Sequence, residues 1–198
     1  MENKQEVITI LAATERPGID DLIVYLEQTD FFTAPASTKF HGAYDGGLAE
    51  HSLHVWHLLK NKNEYYSLGL SPDTIAITAL LHDICKINFY IKDTKNVLKG
   101  KKINDYGKTV NDWQEELVWV CKDQFPVGHG EKSVITALKF IQLTDIEIAM
   151  IRWHMGAYEA KDNYRDMGNA VDMYKPIVAL QTADMEASHL LNLEVREA

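Results

Sequence analysis

Cysteine is scarce in this chain of 198 residues: there are two, Cys85 and Cys121. Two thiols without metal-ribbon spacing exclude a disulfide scaffold and fit a reducing compartment, and both are expected to be buried. Long apolar runs are missing as well. No stretch approaches the roughly 20 apolar residues needed to span a membrane. The opening MENKQEVITILAATERPG sets charged and polar residues too densely for a secretory leader. The chain is therefore expected in the cytoplasm, with no membrane partner. Basic charge is in deficit, 20 Lys and Arg against 29 Asp and Glu, for a net −9. That balance disfavours nucleic acid as a partner, at least by sequence-blind attraction. The deficit is uneven: between Lys86 and Lys108 seven lysines face two aspartates, so an acidic body carries one basic segment. Internal repeats, low-complexity tracts and linkers are also lacking, which leaves one domain over residues 1–198 as the expectation.

What remains reads mostly as helix. GIDDLIVYLEQ places Ile19, Leu22, Ile23 and Leu26 on one helical stripe. Ser71, Pro72 and Asp73 form a start signal for a helix running through Ile75, Ala79 and His82. Thr144 and Glu147 make a capping box before IEIAMIRWHM, with Gly156 placed to end it. A last helix is expected from near Pro176 to about Leu193. Only residues 87–125 depart from the pattern: FYIKD and LVWVCK alternate as strands do. The expected fold is all-α, a helical bundle with a small β-hairpin-like insertion around residues 87–125.

Within it, LLHDICKI puts a histidine and an aspartate side by side in an apolar run. Buried polar groups are costly unless hydrogen-bonded, ion-paired or bound to metal. Asp184 is in the same position, since Ile177, Leu180, Asp184, Ala187 and Leu191 recur at helical spacing. His51 begins a stripe continued by Val55 and Leu58, and His154 closes the helix that carries Ile148 and Ile151. Helices of a bundle that turn imidazoles and carboxylates inward commonly build a metal site.

The ordered motifs GGLAEHSLHV, LLHDICKI, GHGEKS, IRWHMG and LQTADMEAS resemble the HD-domain superfamily of metal-dependent phosphohydrolases over roughly residues 38–190. KFHGAYDGGLAEHSLHV is also similar, locally, to the start of the HD domain in a bacterial 3′-to-5′ exoribonuclease and in some relaxases. The resemblance implies a metal-binding core over 38–192, with N-terminal helices in 1–36 packed on it. It also implies that His51, His82, Asp83 and Asp184 ligate one divalent ion. His129 and His154 match the additional histidines of versions that hold a second ion, with Asp83 bridging. Mn, Fe, Ni, Co and Zn all suit such ligands.

The activity so implied is hydrolysis of a phosphomonoester or phosphodiester, on a small, nucleotide-like substrate, by a metal-activated water that Asp83 orients. Lys86, expected one turn from His82 at the rim of the site, is the candidate for stabilising charge on the phosphate, as catalytic and substrate-binding residue. His41 is a candidate substrate contact, and the basic segment after Lys86 a candidate cover for the pocket. His54, His57 and His189 are expected to be structural or surface residues. Two other readings compete: a di-iron HD-domain oxygenase, and a module that binds nucleotide or nucleic acid without turnover. A stacking, basic channel formed by residues 86–108 with Trp113 and Trp119 would mark a nucleic-acid enzyme.

Overall fold

A computed structural model describes residues 2–191 of the chain. Helices α1 (Glu2–Ala12) and α2 (Ile19–Gln28) come first. Then follow α3 (Gly47–Tyr66) and α4 (Pro72–Leu81). Strands β1 (Tyr90–Ile103) and β2 (Thr109–Cys121) come next, before α5 (His129–Leu138) and α6 (Asp145–Trp153). The last helices are α7 (Tyr164–Met173) and α8 (Pro176–Glu186), α8 running on into a π-helical turn, Ala187–Leu191. Residues 192 and 193 of the expected last helix lie outside the described residues. No helix among those described is long and apolar enough to cross a membrane.

The all-α expectation needs correcting. The insertion is a long antiparallel hairpin, with strands of 14 and 13 residues paired from Tyr90↔Cys121 to Ile103↔Thr109, so the fold is mostly helical with a two-stranded sheet. A bulge between Leu98 and Gly100 leaves the Lys99 backbone outside the strand register. In β1 only Tyr90 is buried, so the hairpin stands away from the bundle and its length is held by strand pairing rather than by a core. Its two strands also neutralise each other. Lys99 pairs with Glu116 at 2.5 Å and Lys102 with Asp112 at 2.8 Å, and residues 90–121 carry six lysines against five acids. The basic segment is thus one strand and a turn laid against an acidic strand.

Helix α4 organises the bundle. Ser71 caps it by accepting from the Thr74 amide, Pro72 occupies the first turn, and every residue from Thr74 to Leu81 is buried. One side, Ile77, Leu80 and Leu81, packs with Val7, Leu11, Leu22, Leu26, Phe31, Leu48 and Leu53 from the N-terminal half. The other, Ile75 and Ala79, packs with Val55, Leu59, Met150, Ile177, Leu180 and Ala183. A helix apolar all round belongs inside a bundle. Its C-terminal end therefore emerges in the middle of the molecule, at His82. The stripe read in α2 is buried as expected, whereas Leu191, expected inward, is half exposed.

A buried ion pair ties the N-terminal half to the rest. Arg16, between α1 and α2, donates two hydrogen bonds to Glu147 of α6, at 2.7 and 2.9 Å. Glu147 also accepts from the Thr74 hydroxyl and the Thr144 amide, completing the capping box expected there.

Candidate metal centre

The end of α4 is where the polar groups gather. The chain leaves helical geometry at Asp83 (φ −107°, ψ 15°), and Ile84–Lys86 make a 3₁₀ turn. Asn88, at φ 53°, then reverses the chain toward β1 while its amide donates to Asp30. Two close backbone approaches bring the other walls in. A Cβ on Gly47 would overlap the Gly42 carbonyl, so glycine lets the loop carrying His41 fold over the start of α3. A Cβ on Gly130 would overlap the Arg152 carbonyl, so glycine lets α5 and α6 meet with His129 and His154 side by side. The imidazoles form a continuous row: ring centroids are 5.1 Å apart for His41–His51, 5.3 Å for His51–His82, 5.0 Å for His82–His154 and 5.2 Å for His154–His129.

Asp83 lies at the centre and divides the row into two sets. Its Oδ2 is 3.4 Å from His82 Nε2 and 3.8 Å from His51 Nε2, and His51 Nε2 is in turn 3.0 Å from Asp184 Oδ1. Its Oδ1 accepts from His129 Nε2 at 2.7 Å and lies 3.7 Å from His154 Nε2. All six candidate ligands named from the sequence are therefore brought together. Potential ligand atoms converge as His51–His82–Asp184 and as His82–Asp83–His154.

The tautomers are set by the backbone. His82 Nδ1 is 2.8 Å from the Ala79 carbonyl and His154 Nδ1 is 2.7 Å from the Ile151 carbonyl. A carbonyl only accepts, so Nδ1 must carry the proton and the neutral ring offers its Nε2 lone pair to the centre. Both Nε2 atoms are buried and lack a hydrogen-bond partner. An orphaned buried nitrogen costs about 1–3 kcal/mol, and two aimed beside one carboxylate fit a divalent ion, for which imidazole fixed through its other nitrogen is the usual ligand.

The electrostatics favour ionised carboxylates. Burial alone would raise Asp83, but Lys86, His82 and the other imidazoles outweigh it and hold the carboxyl well below its ordinary range. Asp184 is lowered likewise, burial being overcome by His51 and His82. Burial opposes the charge on His82 too, yet Asp83 outweighs it and its pKa is raised; in His129 burial wins over Asp83 and the pKa falls. His41, half-buried near His51 and Lys86, is lowered to about 4, chiefly by burial.

Lys86 departs from its expected place. Because the helix ends before it, Lys86 reaches back to Asp83 through the tighter turn, and its Nζ lies 2.7 Å from Asp83 Oδ2 and 2.8 Å from the Ala36 carbonyl, to which it donates. With a side chain 12% exposed it is an inner residue rather than a rim one. Burial acts against its charge, but Asp83 and the Tyr90 hydroxyl raise its pKa overall.

The two thiols divide. Cys121 is exposed, contrary to expectation, because β2 ends on the surface. Cys85 is buried but belongs to the centre: its Sγ is 3.4 Å from His129 Nδ1, and it forms a third converging set with Asp83 and His129. Its only mark in the sequence was its place two residues after Asp83. Burial and the Asp83 charge push this thiol up to about 12. Tyr90 was also missed; its hydroxyl donates to the same Ala36 carbonyl as Lys86, at 3.2 Å. His57 and His189 are exposed as expected.

A helical bundle whose core closes on this histidine–aspartate centre defines a class, and the family model of the HD domain matches residues 48–189: the chain belongs to the HD domain family. One relative is the dihydroneopterin 2′,3′-cyclic phosphate phosphodiesterase of Methanocaldococcus jannaschii, 37% identical over 97 residues. The match covers 46% of this chain and 37% of that relative, so the chain spans little more than a third of the relative's length. No solved structure matches the chain.

Proposed function

We propose that this chain is a metal-dependent phosphohydrolase of the HD superfamily, acting on a small ring-bearing phosphate ester such as a 2′,3′-cyclic phosphate. The observation that carries the reading is the division of Asp83: one carboxylate oxygen faces His51, His82 and, through His51, Asp184, while the other faces His129 and His154. His51, His82, Asp83 and Asp184 would hold one ion, and Asp83, His129 and His154 a second. When bound, such ions supply a water of lowered pKa and polarise phosphoryl oxygens. The cyclic phosphate diester is suggested by the relative, and the acidic surface of the chain favours a compact substrate over a polymer.

The protein's own groups do the rest. Asp83, ionised at neutral pH, orients the imidazoles around it. The Nδ1 anchors of His82 and His154 keep both rings aimed at the centre. Lys86 brings a fixed positive charge to the same spot, where it meets the charge that grows on the phosphate. His41, beside His51 at the end of the row, is the substrate contact. The whole chain acts as one HD unit in this reading, since α1 and α2 share a core with Leu48, Leu53 and Leu81.

The test is metal content by plasma mass spectrometry on protein made without a histidine tag, followed by hydrolysis of adenosine 2′,3′-cyclic phosphate to the monoester. One or two divalent ions per chain together with phosphomonoester formation is the expected result. No retained ion after addition of Mn, Fe, Ni, Co or Zn overturns the reading; two irons with O₂ uptake and no ester cleavage would replace it with an oxygenase.

A second expectation concerns Lys86. Lys86→Ala should lower turnover roughly 100-fold, the effect of removing one group that stabilises developing charge, while metal content stays at the wild-type level. Parallel loss of metal would show that Lys86 serves only to position Asp83.

A further inference from the structure

A cavity of about 310 Å³ opens between the base of the hairpin and the loop before α3, lined by Thr38, Lys39, Ala43, Lys92, Val118 and Trp119 among others. We propose that it receives the planar nitrogen heteroaromatic ring of the substrate, with Trp119 as the stacking surface and Lys39 and Lys92 as donors to the ring's acceptor atoms. This rests on the phosphohydrolase reading above and extends it to the part of the substrate away from the phosphate.

Three observations converge. The first is composition: the lining pairs a half-buried indole with two cations. The Lys92 ammonium lies 4.7 Å from the Trp119 ring centroid and 3.2 Å from Asp45. An aromatic surface accompanied by ammonium groups suits a flat, electron-rich ring with carbonyl and ring-nitrogen acceptors.

The second is position. Lys92 pairs with Trp119 across the strands as Tyr90 pairs with Cys121, so Tyr90, Lys92 and Trp119 share one face of the hairpin. Tyr90 is the residue whose hydroxyl meets the Ala36 carbonyl together with Lys86, and Lys86 holds Asp83. The cavity therefore begins two strand residues, about 7 Å along β1, beyond Tyr90, whose hydroxyl reaches the centre through the Ala36 carbonyl and Lys86. Its other wall, Thr38 to Ala43, is the same loop that carries His41 beside His51.

The third is size. The volume lies at the small end of the roughly 300–1,000 Å³ typical of small-molecule sites, enough for one ring system and too little for a strand of nucleic acid. A nucleobase and a pterin share the chemistry that this lining recognises, and the experiment separates them.

The test compares kcat/KM on adenosine 2′,3′-cyclic phosphate and dihydroneopterin 2′,3′-cyclic phosphate, which carry a ring, with glycerol 1,2-cyclic phosphate, which does not, using the full chain loaded with Mn²⁺. In Trp119→Ala the preference for ring-bearing over ringless ester should fall roughly 10–100-fold through KM, as loss of one aromatic stack does, and Trp119→Phe should restore most of it. Whichever ring ester shows the larger preference in the wild type identifies the ring. An unchanged preference in Trp119→Ala, or equal loss on all three esters, overturns the proposal. If the wild type cleaves none of them, the hydrolase reading fails, and the cavity is judged separately: adenosine or neopterin should quench tryptophan fluorescence of the metal-free protein and lose that quenching in Trp119→Ala. Quenching that is absent or persists in the variant overturns it.

Discussion

Asp83→Ala is expected to strip the protein of metal and to bring hydrolysis down to background. Altering a group that merely supports a ligand weakens metal affinity roughly 10–100-fold, and removing the carboxylate that faces both sets of imidazoles should exceed that. Metal content by mass spectrometry and turnover on a cyclic phosphate should fall together. Asp184→Ala makes the comparison sharper, because Asp184 touches only the His51 side. That variant should lose one ion and keep the other, whereas Asp83→Ala loses both. Since Asp83→Ala also strands the Lys86 ammonium in a poorly hydrated place, at a cost of several kcal/mol, Asp83→Asn serves as the isosteric control, and circular dichroism shows whether each variant is folded. Wild-type activity in a folded Asp83→Ala protein would sink the assignment of the whole centre.

Arg16→Ala is expected to destabilise the protein by about 3–5 kcal/mol, because it leaves the Glu147 carboxylate buried without its counter-charge. In a domain of this size that lowers the melting temperature by roughly 6–20 °C. The pair is of the consequential kind: Glu147 is 0% exposed and Arg16 16%, and the contact is bidentate. It also carries a pH signature. Burial would raise the Glu147 carboxyl, but the Arg16 hydrogen bonds and the Thr144 amide overcome it and the pKa is lowered. A carboxyl whose folded-state pKa is depressed contributes stability that is fully present above its unfolded value, about 4.3, and that disappears as the pH falls through the folded value. Stability in urea should therefore decline with acid below about pH 4 more steeply in the wild type than in Glu147→Gln. Equal slopes, or an Arg16→Ala cost below about 1 kcal/mol, would class the pair with ordinary surface bridges.

The two sites differ in how far they could be read in advance. Asp184 and His82 were visible because they take core positions of a helical stripe, Asp83 because it follows His82 in an apolar run, and His51 and His154 because one begins a stripe and the other closes a helix. His129 rested on the family pattern alone, since it begins α5 after a loop and has no stripe before it. Arg16 and Glu147 stand 131 residues apart. Local pattern assigned Glu147 to a capping box, which it does complete, but nothing local marks the guanidinium that meets it from the far half of the chain. Lys86 was misplaced for a related reason. A helix continued from His82 would carry it to the rim, whereas the departure of Asp83 from helical geometry turns it back onto Asp83 itself.

The hairpin divides along the same line. Alternation located both strands and lysine content made the first of them basic. Pairing then decided the consequence, since β2 lays Asp112 and Glu116 beside β1 lysines and the apparent patch is largely neutralised. By itself, then, the sequence determined helices α2, α4, α6 and α8, the place of the hairpin and the inward setting of His51, His82, His154 and Asp184, because periodicity is a property of a local segment. Only the tertiary structure decided that Asp83 offers one oxygen to each set of histidines, that Cys85 joins His129, that Arg16 closes on Glu147 and that Trp119 borders a cavity. Those are distances between segments remote in the chain, set by how α4, α5, α6 and the hairpin pack, and no local pattern contains them.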